Sequence, residues 1–131
     1  MAAAHEYACV RPQVLSALQS SDVEIRSAAV ATCNEANDGA AHDLVVALFE
    51  DSDAHVRGEV FEYLAEFPQL SDSLKLLDAL GSREHVFLAT CALQKLYGTG
   101  GPVVTEEDDD GAIADAFTQW RRAVSAHRGT A

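Results

Sequence analysis

The segment SSDVEIRSAAV, residues 20–30, returns as DSDAHVRGEV at residues 51–60. In each copy an aspartate in a short polar turn is followed by an aliphatic residue and an arginine: Asp22, Ile25 and Arg26, then Asp53, Val56 and Arg57. The match extends both ways, placing Leu15 on Val46, Leu18 on Phe49 and Glu35 on Glu66, all 31 residues apart. A fixed period of this length marks stacked helical hairpins, each hairpin being too small to bury its own apolar face. A third copy, LLDALGSREHVFLATCALQKLYG at residues 76–98, follows at a period of 29 to 31 and has Val86 or Phe87 where the arginine belongs.

Within each copy the apolar spacing is helical. Val14, Leu15 and Leu18 form one stripe, and Ile25, Ala28, Ala29, Thr32, Cys33 and Ala36 form the next. Val45, Val46, Leu48 and Phe49, then Val56, Val60, Tyr63, Leu64 and Phe67, repeat the arrangement. Asp22 and Asp53 occupy N-cap positions, where a carboxylate accepts from the first N–H groups of a helix. No alternating run is long enough for a strand, so the fold class is all-α. The pattern predicts repeats over about 12–37, 43–68 and 72–98 within one domain spanning 1–131. A short capping helix at 2–10 precedes them. An acidic loop at 99–110 and a C-terminal capping helix at 111–128 follow. Ile113, Phe117, Trp120 and Val124 form the inward face of that last helix.

These residues resemble the HEAT-like repeats of many bacterial proteins, the short subclass also seen in phycobilin lyases. DVEIRSAA and ALQKLYG carry the resemblance best, and Glu59 and the missing third arginine depart from it. It implies a short right-handed α-solenoid of about three hairpins. It also implies that Arg26 and Arg57 bond carbonyls or acids of adjoining turns, and that binding uses the surface formed by the second helices.

The chain has 131 residues, with 21 Asp and Glu against 9 Lys and Arg, for a net charge of −12. Such a surface repels nucleic acid, whose affinity for proteins comes largely from cations that displace phosphate counterions. A basic protein is the expected partner. Glu59, Glu62 and Glu66 share one helix face, Glu35 repeats the position of Glu66, and Asp51 and Asp53 adjoin them in the turn. Glu106, Glu107, Asp108 and Asp109 in the loop are expected to add a flexible acidic rim. These ten residues are the candidate partner-binding set.

No catalytic constellation converges. His5, His42, His55, His85 and His127 are scattered without metal-ligand spacing, the pair His5 and Cys9 stands alone, and the three cysteines form no C-x-x-C. No enzyme activity, metal or cofactor is expected. The N-terminal residues lack a signal-peptide pattern and no segment is apolar enough to span a membrane, so a cytoplasmic protein is expected. The most concrete functional expectation is an immunity or inhibitor protein that neutralises a basic toxin such as a nuclease. The resemblance also admits an accessory or lyase-type role on a bilin or other small molecule.

Overall fold

The computed structural model describes residues 2–129, with side chains from residue 6 to residue 127. Among the described residues seven α-helices run in order: α1 (Ala2–Ala17), α2 (Val23–Glu35), α3 (His42–Val46), α4 (Ala54–Glu66), α5 (Ser73–Gly81), α6 (Val86–Tyr97) and α7 (Asp110–Gly129). Two short 3-10 turns, Gly39–Ala41 and Leu70–Asp72, lead into α3 and α5. Among the described residues no strand occurs. The chain divides into two compact units, Met1–Tyr63 and Leu64–Ala131.

In the first unit the repeated turn does what its residues dictate. Asp22 Oδ1 accepts from the N–H groups of Glu24 (2.9 Å) and Ile25 (3.4 Å), and Asp53 Oδ1 accepts from His55 (2.9 Å) and Val56 (3.0 Å). The two arginines one turn later reach back to the turns. Arg26 donates Nη1 to the Ser20 carbonyl (3.0 Å) and grips Asp51 with Nε (2.9 Å) and Nη2 (3.1 Å), while Arg57 Nη1 donates to the Asp51 carbonyl (2.8 Å). The repeated arginine thus ties the turn before its own helix, and Arg26 also ties the turn of the following hairpin.

The predicted capping helix at 2–10 and the first repeat helix are one continuous helix, α1, with Pro12 inside it. Proline has no N–H to give to the Ala8 carbonyl, a defect that costs about 3 kcal/mol in a helix interior. It is accommodated on the solvent side, since Pro12 and Ala8 are both exposed and water can reach the orphaned carbonyl. The first helix of the second hairpin is shorter than its apolar stripe suggests. After Val46 the bonds Leu48 N–H to Val45 (2.9 Å) and Phe49 N–H to Val46 (3.0 Å) tighten the chain into 3-10 geometry.

Buried side chains settle the register of the repeats. Ala29, Val30 and Cys33 of α2 match Val60, Phe61 and Leu64 of α4 at 31 residues, all at most 4 % exposed. Val60, Phe61, Tyr63 and Leu64 match Ala89, Thr90, Ala92 and Leu93 of α6 at 29. Val86, 1 % exposed, therefore stands in the arginine position. One expected core residue lies outside: Ile25, the counterpart of the fully buried Val56, is 46 % exposed. With Val14, Ala17, Ala28 and Thr32 it lines a shallow apolar hollow of about 280 Å³. A repeat spacing sets helical phase, whereas burial requires that another element pack on that phase.

In the second unit α7 packs on α5 and α6 as the predicted C-terminal lid. Ile113, Ala116, Trp120 and Val124 are buried, and Phe117 is half-buried beneath the Arg121 guanidinium, 5.7 Å from its ring centre. The loop before α7 is sewn down. Gln94 Nε2 donates to the Gly101 carbonyl (2.9 Å), Trp120 Nε1 to the Pro102 carbonyl (2.7 Å) and Val104 N–H to Thr90 Oγ1 (3.2 Å).

Candidate functional site

The acidic face predicted on α4 is built from Glu59, Glu62 and Glu66, at spacings of three and four on one helix. Two basic side chains approach this face. His55 Nε2 lies 3.7 Å from Glu59, whose side chain is 25 % exposed, and Lys95 Nζ lies 3.7 Å from Glu66, whose side chain is 61 % exposed. Exposed pairs at this separation contribute little and leave the carboxylates available to compete for other cations. Glu62 and Glu35 are exposed, and among the described residues no ion pair engages either.

Two of these acids sit against the electrostatics of their own helices. Glu35 is the last residue of α2 and Glu66 the last of α4, and neither helix has a basic residue in its final turn. The C-terminal end of a helix carries partial negative charge, so an anion there costs a few tenths of a kcal/mol, and the like-charged neighbours on α4 add to the cost. Glu35→Lys is therefore expected to raise Tm slightly, as thermal unfolding followed by circular dichroism would show. A drop in Tm would mean that Glu35 has a structural role.

The remaining candidates carry structural duties. Asp51 is withdrawn from the exposed set. Its side chain is 7 % exposed, both oxygens are held by Arg26, and Oδ1 also accepts from the Asp53 N–H at 2.9 Å. The Arg26 fork first, then that N–H, hold its carboxyl below the usual carboxylate range against a smaller opposing push from burial. A carboxyl depressed in the folded state stabilises the fold above its unfolded value of about 3.9, and that contribution disappears as pH falls through the folded value. Asp51→Asn is expected to lower Tm by a few degrees at neutral pH, with the gap to wild type closing below about pH 4. A pH-independent gap would remove the ionised carboxylate from this account.

Asp53 spends one oxygen on the α4 cap. Three acids of the loop, Glu106, Asp108 and Asp109, are held in local caps and turns instead of forming a free rim. Glu106 Oε2 accepts from the Phe87 N–H (3.1 Å) at the start of α6, where the other repeats use Asp22 and Asp53. Asp109 Oδ1 accepts from the Ala112 N–H (2.8 Å) and caps α7, while Asp108 Oδ2 accepts from the Thr105 N–H (2.7 Å) and closes the turn. Asp110 pairs with Arg83. Glu107 is exposed. Sequence spacing could not show this, since the Glu106 contact joins residues 19 apart.

One polar cluster escaped the sequence reading. Asn37, at φ 55°, ends α2 in a Schellman turn, with Asn37 N–H bonded to the Asn34 carbonyl (3.0 Å) and Asp38 N–H to the Cys33 carbonyl (2.9 Å). The turn aims Asp38 inward. Its carboxylate receives the Tyr7 hydroxyl (2.5 Å), Arg11 Nε (2.7 Å) and Arg11 Nη2 (3.3 Å), and its carbonyl receives the Tyr63 hydroxyl (2.6 Å). Burial pushes the Asp38 carboxyl up, yet the bonds from Arg11 and Tyr7 outweigh it and keep the group ionised at neutral pH. Burial pushes the Tyr7 and Tyr63 phenols and the Cys33 thiol up, which holds all three protonated and poor as nucleophiles. The cluster is a clasp.

Among the described residues no group of three or more His, Cys, Asp or Glu side chains is placed to hold a metal ion. The His5 side chain lies outside the described residues. Among those residues no helix is long and apolar enough to cross a membrane.

Helical hairpins repeating every 29 to 31 residues, tied by an aspartate cap and an arginine that reaches back to the turn, define a helical-repeat protein. The family of HEAT repeats matches residues 11–94, and the chain belongs to it. No curated protein and no solved structure matches the chain. HEAT repeats generally mediate protein–protein interaction and are generally non-catalytic. The match ends within α6, leaving the acidic loop and α7 as additions outside the repeats.

Proposed function

We propose that this HEAT-repeat protein binds a basic protein partner through the exposed carboxylates of Glu35, Glu62 and Glu66, with Glu59 and Glu107 as further acids of the set. The observation that carries the reading is the placement of Glu35 and Glu66 at helix C-termini, where they oppose the helix dipole and where only Glu66 has a nearby cation, Lys95 at 3.7 Å. Charges kept at a cost to the fold are spent on something outside it. The net charge of −12 acts in the same direction, steering cations toward the surface and nucleic acid away from it.

The most concrete form of the reading is an immunity or inhibitor protein that covers a basic toxin, such as a nuclease whose own surface must attract phosphate. A cleft of about 320 Å³ in the second unit gives a bilin or other small-molecule role no support: it is lined mainly by Leu80, Ile113, Ala114 and Phe117, and the guanidinium of Arg83 at its edge is paired with Asp110. The test is affinity capture from host lysate at low and high salt, with retained proteins identified by mass spectrometry. A basic protein retained at low salt and released at high salt is the expected result, and co-expression that suppresses its toxicity would support the immunity form. Retention of acidic proteins, or binding insensitive to salt, would overturn the electrostatic reading.

A further inference from the structure

We propose that the part of α1 ahead of Pro12 is a strap that undocks while the rest of the first unit stays folded, and that the Asp38 carboxylate is its latch. From residue 6 to residue 17 no side chain of α1 is fully buried, and Leu18, just past the helix, is the first that is. Val10 is 47 % exposed. Little apolar area of residues 6–11 therefore holds this segment down, although apolar burial is what anchors most helices.

The segment is attached instead by polar contacts that converge on one group. Tyr7 and Arg11, one turn apart, both bond the Asp38 carboxylate. Pro12 supplies the hinge, because the missing N–H interrupts the helical ladder just behind those two residues. The latch post does not depend on the strap. Asp38 is held by its own backbone, N–H to Cys33 and carbonyl to Tyr63, so its position survives when Tyr7 and Arg11 leave. Release uncovers Cys33, which is 0 % exposed and lies 3.8 Å from the Tyr7 hydroxyl. Local openings of this kind draw on elements with few buried apolar contacts and exposed hydrogen bonds.

The Cys33 thiol reports the opening directly. The experiment is alkylation by N-ethylmaleimide on the full chain, with peptide mass spectrometry separating Cys33 from the exposed Cys9, run beside backbone hydrogen exchange of α4. In wild type, Cys33 is expected to react through an opening that depends only weakly on urea, while α4 amides exchange only in the urea-sensitive global transition. Asp38→Asn keeps both backbone anchors and is expected to speed Cys33 alkylation about tenfold or more, the scale set by losing charge-assisted bonds. α4 protection should fall far less. Glu24→Gln, an exposed change on α2, should leave the Cys33 rate unaltered. If Cys33 alkylation and α4 exchange rise together with urea in wild type, opening is global and the strap is overturned. An unchanged Cys33 rate in Asp38→Asn overturns the latch.

Discussion

Trp120→Ala is expected to destabilise the second unit by about 3–5 kcal/mol, the usual range for deleting a fully buried tryptophan side chain. Trp120 is 1 % exposed, lies 6.5 Å from the Tyr97 ring, and donates Nε1 to the Pro102 carbonyl, so its loss opens a cavity and strands a carbonyl. The same ring explains Gly101. A Cβ added there would lie 2.4 Å from Cη2 and Cζ2 of Trp120, a distance that real Cβ atoms essentially never show. Neither side yields easily, because the Gly101 carbonyl is held by Gln94 and the indole by Pro102. Gly101→Ala should therefore cost about 1–3 kcal/mol as an overpacking strain. Most of that penalty should vanish when Trp120 is also Ala, because the clash needs both partners. Chemical denaturation of the two single variants and the double variant measures this coupling. Additive effects would mean that the loop does not press on the indole.

Simultaneous change of Glu35, Glu62 and Glu66 to Lys is expected to slow association with a basic partner by about 10- to 1,000-fold at low ionic strength, and by much less at high salt. The dissociation rate should change less, because exposed charges act mainly on encounter. The fold should be intact, since two of the three changes place a cation at a helix C-terminus, offset for Glu66→Lys by loss of the loose pair with Lys95. Loss of binding without loss of stability separates an interaction role from a structural one. Stopped-flow association kinetics beside thermal melts would read both. An unchanged association rate would remove these carboxylates from the interface. The contrasting variant is Asp51→Asn, which should lower stability through Arg26.

The difference between those two variants shows how much of the site was legible. Glu35, Asp51, Asp53, Glu59, Glu62 and Glu66 were all visible as acids on or beside repeated helices. Their duties were not, because a carboxylate at a turn reads the same whether solvent or an arginine 25 residues upstream faces it. Glu106 is the clearest case. It looked like one acid in a solvated run, yet it replaces the aspartate cap that the third repeat lost. Asp38 was overlooked because its two side-chain partners, Tyr7 and Arg11, lie 31 and 27 residues upstream.

What the amino-acid order determined by itself was everything carried by local spacing. The 31-residue period, the Asp22 and Asp53 caps, the helical phase of α2, α4 and α6, and the inward face of α7 follow from contacts within a few residues, and these depend on residue type alone. Tertiary structure decided which of those phases found a neighbour and which charges found a partner. Val56 is buried and Ile25 exposed at equivalent positions. Asp51 is gripped by Arg26, whereas Glu62 faces solvent. Burial and pairing are properties of surroundings assembled from distant parts of the chain, and a repeat that copies its residues does not copy its surroundings.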